Sequence, residues 1–396
     1  MTVLHLVDGY PPSHGFARRW SRELSHALAD RGHAVQVLSL APPTVHIGGP
    51  AFMAWGPVDF DEAIRVWRCA TSAPLLALRR LAWRSHTSAR STELQRLLWK
   101  GRLTCDLFHL HGIEPPHALW AWASCRVARR PLVITPHVEN GRVLSGATAR
   151  WMLRRADAVI VLDVEEAVLL RRAGIRPRLL VQVGTPVTES AAFDDGRPGA
   201  RRSRPARFSE EDTLLVFAGA CDRRSGVLTF VDAVRLLRLE GRQVVAAVMG
   251  DYGPDEYTRR LLKTTLVPML NLPVVHPVDR FRLLAAAAVV VLPTDWHSGD
   301  AFDAWVADTP ALAPQEEGHF LNEDILPRFP AGDPLMLAQH IATILRGAGG
   351  RSLVGACRAR LAEAPSWTEV GIRVEGVYRK LLADRRSGVP FRKTAA

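Results

Sequence analysis

Apolar residues recur along this chain in short runs, separated by longer stretches in which apolar and polar positions follow a helical period. Residues 3–7, 34–40, 107–111, 132–136, 157–163 and 178–183 read as buried strands. Between them, residues 17–29 place Trp20, Leu24 and Leu28 on one helical face, and residues 164–173 form a second helix. One more strand is expected at 64–69, inside a loop-rich region from 41 to 72. The alternation then stops: residues 188–212 exchange periodicity for Gly, Pro, Ser and charge, which marks a linker and a domain boundary. It restarts with a strand at 214–219, a helix at 227–240, strands at 244–250 and 272–278, a helix at 279–287 and an apolar run at 285–292. A short alanine- and tryptophan-rich helix, a helix at 333–345 and a terminal helix at 367–382 complete the pattern. Strands alternating with helices in this way build parallel sheets covered on both faces, here twice over.

The second series leads to the stretch LPTDWHSGDAFDAWVADTP, residues 292–310. It begins at the carboxyl end of a strand, where open α/β sheets bind their ligands. Asp295 and Asp303 stand eight positions apart with Gly299 in the turn between them. Carboxylates so spaced can hold sugar or ribose hydroxyls, while the amides of the turn, at Asp300 and Ala301, face a phosphate. The alternative is that Asp300 or Asp303 serves only as an acid of the first helical turn. In the first half, Gly15 closes the loop after the first strand and would let backbone approach a diphosphate at the following helix. His111 and His137 stand at the ends of strands, where an imidazole can orient a hydroxyl or merely satisfy buried backbone. In the second half Gly219 and Gly250 end strands, and Arg223 and Arg224 follow the first of them, either as forked donors suited to phosphate or as solvated loop residues.

Composition narrows the classes. With 396 residues, 47% hydrophobic and 23% charged, the chain is long enough for two folded domains and too apolar for disorder. Five cysteines lie without Cys-x-x-Cys spacing, so a disulfide framework or zinc site is not expected, and a reducing cytoplasm is. The opening MTVLHLVDGY has no signal-peptide pattern, and no apolar run reaches the length of a membrane span. The net charge of +11 falls mainly in the first half. It suits anionic lipid headgroups or acidic substrates; nucleic acid is not expected, because no recognition motif accompanies the charge. Residues 75–103 alternate leucines with arginines and read either as two basic amphipathic helices facing an anionic membrane or as ordinary surface helices.

The stretch 292–310 resembles the donor-sugar motif of the retaining GT-B glycosyltransferases of family four. The family's Pro-Ser, glutamate, Phe-Gly turn, Glu-Ala and Gly-x-Pro-Val are matched by Pro293-Thr294, Asp295 or His297, Gly299, Asp303-Ala304 and Thr309-Pro310-Ala311, with Asp308 at the family's glycine. Residues 10–16 resemble its Pro-Pro-x-x-Gly-Gly turn, with Phe16 at the second glycine, and Arg31-Gly32-His33 its step into the second strand. Residues 106–111 and 135–137 resemble its Asp-x-x-His-x-His and Thr-x-His landmarks. The family's phosphate-binding Arg and Lys positions hold Ala220 and Ser225, leaving Arg223 and Arg224 to supply that charge.

The resemblance implies an α/β fold of the GT-B kind, two Rossmann-like domains facing across a cleft. These would be an acceptor-binding domain at 1–187, the linker 188–212, a nucleotide-sugar-binding domain at 213–365, a helix at 366–384 returning to the first domain, and a tail at 385–396. The implied activity is transfer of a sugar from a nucleotide-sugar donor to an acceptor hydroxyl, on a glycan, lipid or natural product, with retention. No cofactor or metal is implied, the nucleotide-sugar being a substrate, and the enzyme would be cytoplasmic or peripheral at the inner membrane face. His137, Asp295 and His297 would serve the transferred sugar; Gly15, Gly219, Arg223, Arg224, Gly250, Gly299, Asp300, Ala301 and Asp303 would bind the donor. The replaced glutamates and cations allow one alternative, a non-catalytic GT-B partner subunit.

Overall fold

Runs rich in valine, leucine and isoleucine assemble into two parallel sheets in the computed structural model. It describes residues 1–7, 9–11, 16–40, 58–69, 104–113, 117–138, 146–187, 208–209, 211–219, 221–250, 256–272, 277–294, 296, 298–315, 325–347 and 350–387. The basic stretch 75–103, most of the linker 188–212 and the tail from 388 lie outside these residues. The chain divides into two units: Met1–Ser13, Ala17–Gly184 and Trp367–Ala396 form the first, His14–Phe16 and Thr185–Ser366 the second.

The first unit runs β1 (Thr2–Val7), α1 (Phe16–Asp30), β2 (Ala34–Leu40), β3 (Val58–Asp61), β4 (Ile64–Cys69), β5 (Leu107–His111), α2 (His117–Val127), β6 (Leu132–Thr135), α3 (Ala147–Arg155), β7 (Ala158–Val161), α4 (Val164–Arg172) and β8 (Leu180–Gln182). Its strands lie in the order β3-β4-β2-β1-β5-β6-β7-β8, parallel except for the β3–β4 hairpin. The second unit runs β9 (Thr213–Ala218), α5 (Val227–Leu239), β10 (Val244–Met249), α6 (Glu256–Thr264), β11 (Met269–Leu272), α7 (Pro277–Ala286), β12 (Val289–Val291), α8 (Ser298–Val306), β13 (Ala311–Gln315), β14 (Arg328–Pro330), α9 (Pro334–Leu345) and α10 (Gly350–Ala362). Its all-parallel order is β11-β10-β9-β12-β13-β14. The last helix, α11 (Trp367–Arg386), belongs to the first unit. In both sheets the winding reverses beside the first strand, between β1 and β5 and between β9 and β12, the topology of doubly wound folds.

Local chemistry explains where the elements depart from the sequence reading. The run 285–292 divides: Ala285 and Ala286 finish α7, and only the β-branched Val289–Val291 form a strand. The strand expected at 272–278 is Met269–Leu272, because Pro273 has no N–H for the ladder. Helices α2, α3, α6 and α10 were not expected; α2, HALWAWASCRV, is apolar nearly all round and shows no period. Among the described residues no helix is long and apolar enough to cross a membrane.

Strand alternation gives the first sheet two unlike faces. Leu4, Leu6, Phe108 and Leu110 point into an apolar core with residues of α2, α3 and α4. On the opposite face, parallel register sets His5 beside His109 on β5, with His111 beside Val7. All three histidines are buried. His5 Nδ1 lies 2.8 Å from Ser25 Oγ of α1, and His109 lies 2.8 Å from Thr135 Oγ1 and 2.5 Å from Tyr378 Oη of α11. Three residues before Tyr378, the buried carboxylate of Glu375 accepts from Arg31 Nε at 2.6 Å and Arg379 at 2.6 Å, and lies 2.9 Å from His33 Nε2. Burial alone would raise its pKa; the bonds from Arg31 and His33 outweigh that and lower it.

Burial lowers the pKa of His5 to about 3 and holds His109 and His111 well below the ordinary imidazole value. An unfolded histidine titrates near about 6.5, so below that pH the unfolded chain binds more protons than the folded one. The stabilisation is complete above about pH 6.5 and is lost as pH falls, by about 1.4 kcal/mol per histidine per pH unit. Partly buried His26, raised chiefly by its bond to Asp61, works in the opposite sense with a smaller weight. We expect the urea midpoint of unfolding to drop between about pH 7.5 and about pH 5. A midpoint that stays level over this range would mean that the seam accepts imidazolium.

Candidate functional site

In the second unit the reversal of winding opens the carboxyl ends of β9 and β12. Gly219 follows β9 and donates its N–H to the Met249 carbonyl at 3.0 Å. A Cβ there would stand 2.4–2.7 Å from ring atoms of Pro293, so only glycine lets these two strand ends cross. The next turn is held by Asp222 Oδ1, which accepts the N–H groups of Arg224 at 2.8 Å and Ser225 at 2.9 Å. Gly226, left-handed at φ 85, then opens α5. Thr294, just past β12, donates its N–H to the Ser225 carbonyl at 3.0 Å and its hydroxyl to the Arg224 carbonyl. The two loops are thereby sewn together, with Arg223 and Arg224 exposed at the carboxyl edge of the sheet. The Arg223 guanidinium lies over the half-exposed Tyr257 ring, 4.0 Å from its centroid, a cation–π contact. Gly250 ends β10 and donates to the Leu272 carbonyl at 3.1 Å.

Helix α8 begins at Ser298, earlier than the resemblance implies. Gly299, Asp300 and Ala301 make its first turn, and Asp303 stands in the second turn instead of at the N-terminus. The one weak helix former of SGDAFDAWV, Gly299, falls in the first turn, and the helix extends back to the serine. The Asp303 carboxylate accepts from Arg280 of α7 at 3.2 Å, both side chains being about one-fifth exposed. Arg280 is a charge that the sequence reading missed. The helix ends in a Schellman motif, Thr309 N–H to the Ala304 carbonyl and Asp308 N–H to the Trp305 carbonyl, with Asp308 left-handed at φ 58. Aspartate tolerates this left-handed backbone better than most residues. Gly15, Asp295 and His297 lie outside the described residues.

In the first unit, side chains of α1, β3 and β4 hold the loop after β1. After β1, Arg68 of β4 donates to the Pro11 carbonyl at 2.7 Å, and the Tyr10 hydroxyl donates to Asp61 at 2.9 Å. Asp61 also accepts from Arg22 Nε at 2.8 Å and lies 3.0 Å from His26 Nε2. Burial would raise the Asp61 pKa; the bonds from His26 and Arg22 carry it far below the usual carboxylate range. His137, two residues beyond β6, is buried with its ring 5.2 Å from Trp20 and stacked 5.7 Å from His111. Its Nε2 lies 3.5 Å from His111 Nδ1, and its backbone is left-handed at φ 49. Non-glycine residues held so cluster at functional sites. The structure thus brings His137 and His111 together.

The nitrogens of His5, His109 and His111 lie within 4.8 Å of one another, close enough to raise the question of a metal. Those of His5 and His109 already lie at hydrogen-bond distance from Ser25, Thr135 and Tyr378, which makes the group a hydrogen-bonded seam beneath the site. Trp20, read from the sequence only as a core residue of its helix, and Glu166, absent from the sequence reading, complete the surroundings of His137. For Glu166 the signal was the spacing Asp163-x-x-Glu166, a helix-capping pattern.

Residues 15–186 match the family model described as a glycosyl transferase 4-like domain. Among solved structures, sucrose-phosphate synthase from Thermosynechococcus elongatus superposes with a TM-score of 0.68 at 18% identity, over 97% of this chain and 100% of that one. A UDP-forming trehalose-phosphate synthase from Burkholderia vietnamiensis gives 0.61 at 12% identity, over 96% and 99%. The catalytic domain of starch synthase IV from Arabidopsis thaliana, bound to ADP and acarbose, gives 0.61 at 11%, over 97% and 99%. No curated protein matches by sequence. The fold is GT-B, built from two Rossmann-like units, as the resemblance implied.

Gly219→Ala puts a methyl group onto the Pro293 ring. Overpacking of this kind costs about 1–3 kcal/mol, and we expect a lowered thermal midpoint, read by circular dichroism. An unchanged midpoint would show that the loops slide apart freely.

Proposed function

We propose that this chain, which carries a glycosyl transferase 4-like domain in residues 15–186, moves a sugar from a nucleotide-sugar donor to an acceptor hydroxyl with retention of anomeric configuration. The observation that carries the reading is the second unit's winding reversal, with two arginines set at the carboxyl edge beside it. The departing group in such a transfer is a nucleoside diphosphate, and stabilising its growing charge is the main catalytic task. Arg223 and Arg224 supply forked donors for it, next to the N-terminus of α5. Two neighbours are described in matching terms, the starch synthase as bound to ADP and the trehalose-phosphate synthase as UDP-forming.

Asp303 accepts a hydroxyl of the donor, held in place by Arg280; Gly219, Gly250, Gly299, Asp300 and Ala301 shape the surrounding turns. Retention rests on the likeness of residues 292–310 to the retaining family. The roles proposed for His137, Asp295 and His297, toward the transferred sugar, rest on the same family resemblance.

Calorimetric titration with UDP and ADP tests the site. Replacing Arg223 and Arg224 together by alanine removes charged hydrogen bonds of about 1.5–3 kcal/mol each, so diphosphate affinity should fall at least about tenfold while nucleoside affinity holds. Equal affinities for wild type and variant would remove both arginines from the site. Asp303→Asn should weaken nucleotide binding by about tenfold with the fold intact; no change would return Asp303 to a purely structural pair with Arg280. The anomeric coupling of the product, read by proton NMR, decides retention.

A further inference from the structure

Four strands of the first sheet are followed by a left-handed residue; in the β3–β4 hairpin it is Glu62 at φ 55. After β5 it is Gly112 at φ 82, and after β8 it is Gly184 at φ 90, both free of the Cβ penalty. After β6 it is His137 at φ 49. At His137 a side chain is kept where the parallel strands β5 and β8 are followed by glycine, and its backbone must be held by its surroundings.

The holding group is Glu166, on the first turn of α4 and 3% exposed. One carboxylate oxygen accepts the N–H of Val138 at 2.8 Å, the residue directly after His137. The other accepts the N–H of Leu162 at 2.7 Å, directly after β7. A capping-box glutamate would turn back to the N-cap residue, here Asp163. Glu166 reaches past it and ties the ends of two paired strands, while Asp163 accepts the Glu166 N–H at 2.9 Å and holds the glutamate in place. A buried carboxylate with two short N–H bonds is a strong and directional tie.

We propose that Glu166 is a positioning residue for His137. It fixes the backbone at Val138 so that the imidazole stays between Trp20 and His111, with Nε2 toward His111 Nδ1. As far as activity is concerned, this rests on the sugar-transfer reading; the coupling of Glu166 to His137 rests on geometry alone.

Glu166→Gln keeps the shape, but its amide offers one acceptor and turns an N–H₂ toward a backbone N–H. In the variant, the ring resonances of His137, assigned by their loss in His137→Ala, should shift or broaden while those of His33 stay in place. The kcat for transfer from a UDP- or ADP-sugar should fall about tenfold with donor KM within about twofold, and in the His137→Ala background the same change should add less than about twofold. A lowered melting temperature with unmoved His137 resonances and unchanged kcat would reduce Glu166 to a stabilising cap and overturn the proposal. So would equal losses in both backgrounds. Should the glutamine variant fail to fold, Glu166→Asp repeats the measurement, keeping both oxygens one methylene short of Val138. A wild-type protein that transfers no sugar would defeat the functional reading and leave the NMR result to decide the coupling.

Discussion

A carboxylate taken out of water has to be surrounded by donors, and in the first unit this requirement seats the terminal helix. Glu375 is almost fully buried and is met by Arg31, His33 and Arg379. Removing such partners would leave an uncompensated charge, among the costliest defects a core can carry. One turn earlier, Gly371 lets the helix approach α1 so closely that a Cβ would stand 3.2 Å from that of Ala27. One turn later, Tyr378 reaches the histidine seam. Register along α11 is therefore set at three successive turns by three different means. The helix in turn closes the face of the sheet on which His5, His109 and His111 lie.

The fold was legible wherever one physical preference dominated. Valine runs marked strands, and Arg31-Gly32-His33 marked the step into the second strand, where Gly32 N–H meets the Ala29 carbonyl and His33 N–H the Leu28 carbonyl. Legibility failed where preferences competed. The alanines at 285 and 286 extend a helix as readily as they fill a buried strand, and α2 hides its helical period because it is apolar on nearly every side.

Much of the candidate site could not be read because it depends on pairs distant in sequence. Arg280 meets Asp303 across 23 positions, and Glu166 meets Val138 across 28. A carboxylate seen alone in sequence announces neither partner. Substitutions at the family's landmarks were visible, but their meaning was not. Asp308 adopts a left-handed backbone at the close of α8, which its residue type alone did not announce.

The return of α11 to the first unit has a bearing on how the chain is made. The second unit, from Thr185 to Ser366, is topologically an insertion between the first 184 residues and the helix that covers them. During synthesis from the N-terminus, the first sheet emerges with its histidine face met by α1 alone and waits for the rest of its cover until Glu375 and Tyr378 leave the ribosome. The second unit has all of its strands in hand before then and can complete its own sheet first. The part of the protein translated first is thus the part finished last, and its unsealed polar face is the surface that the nascent chain exposes longest.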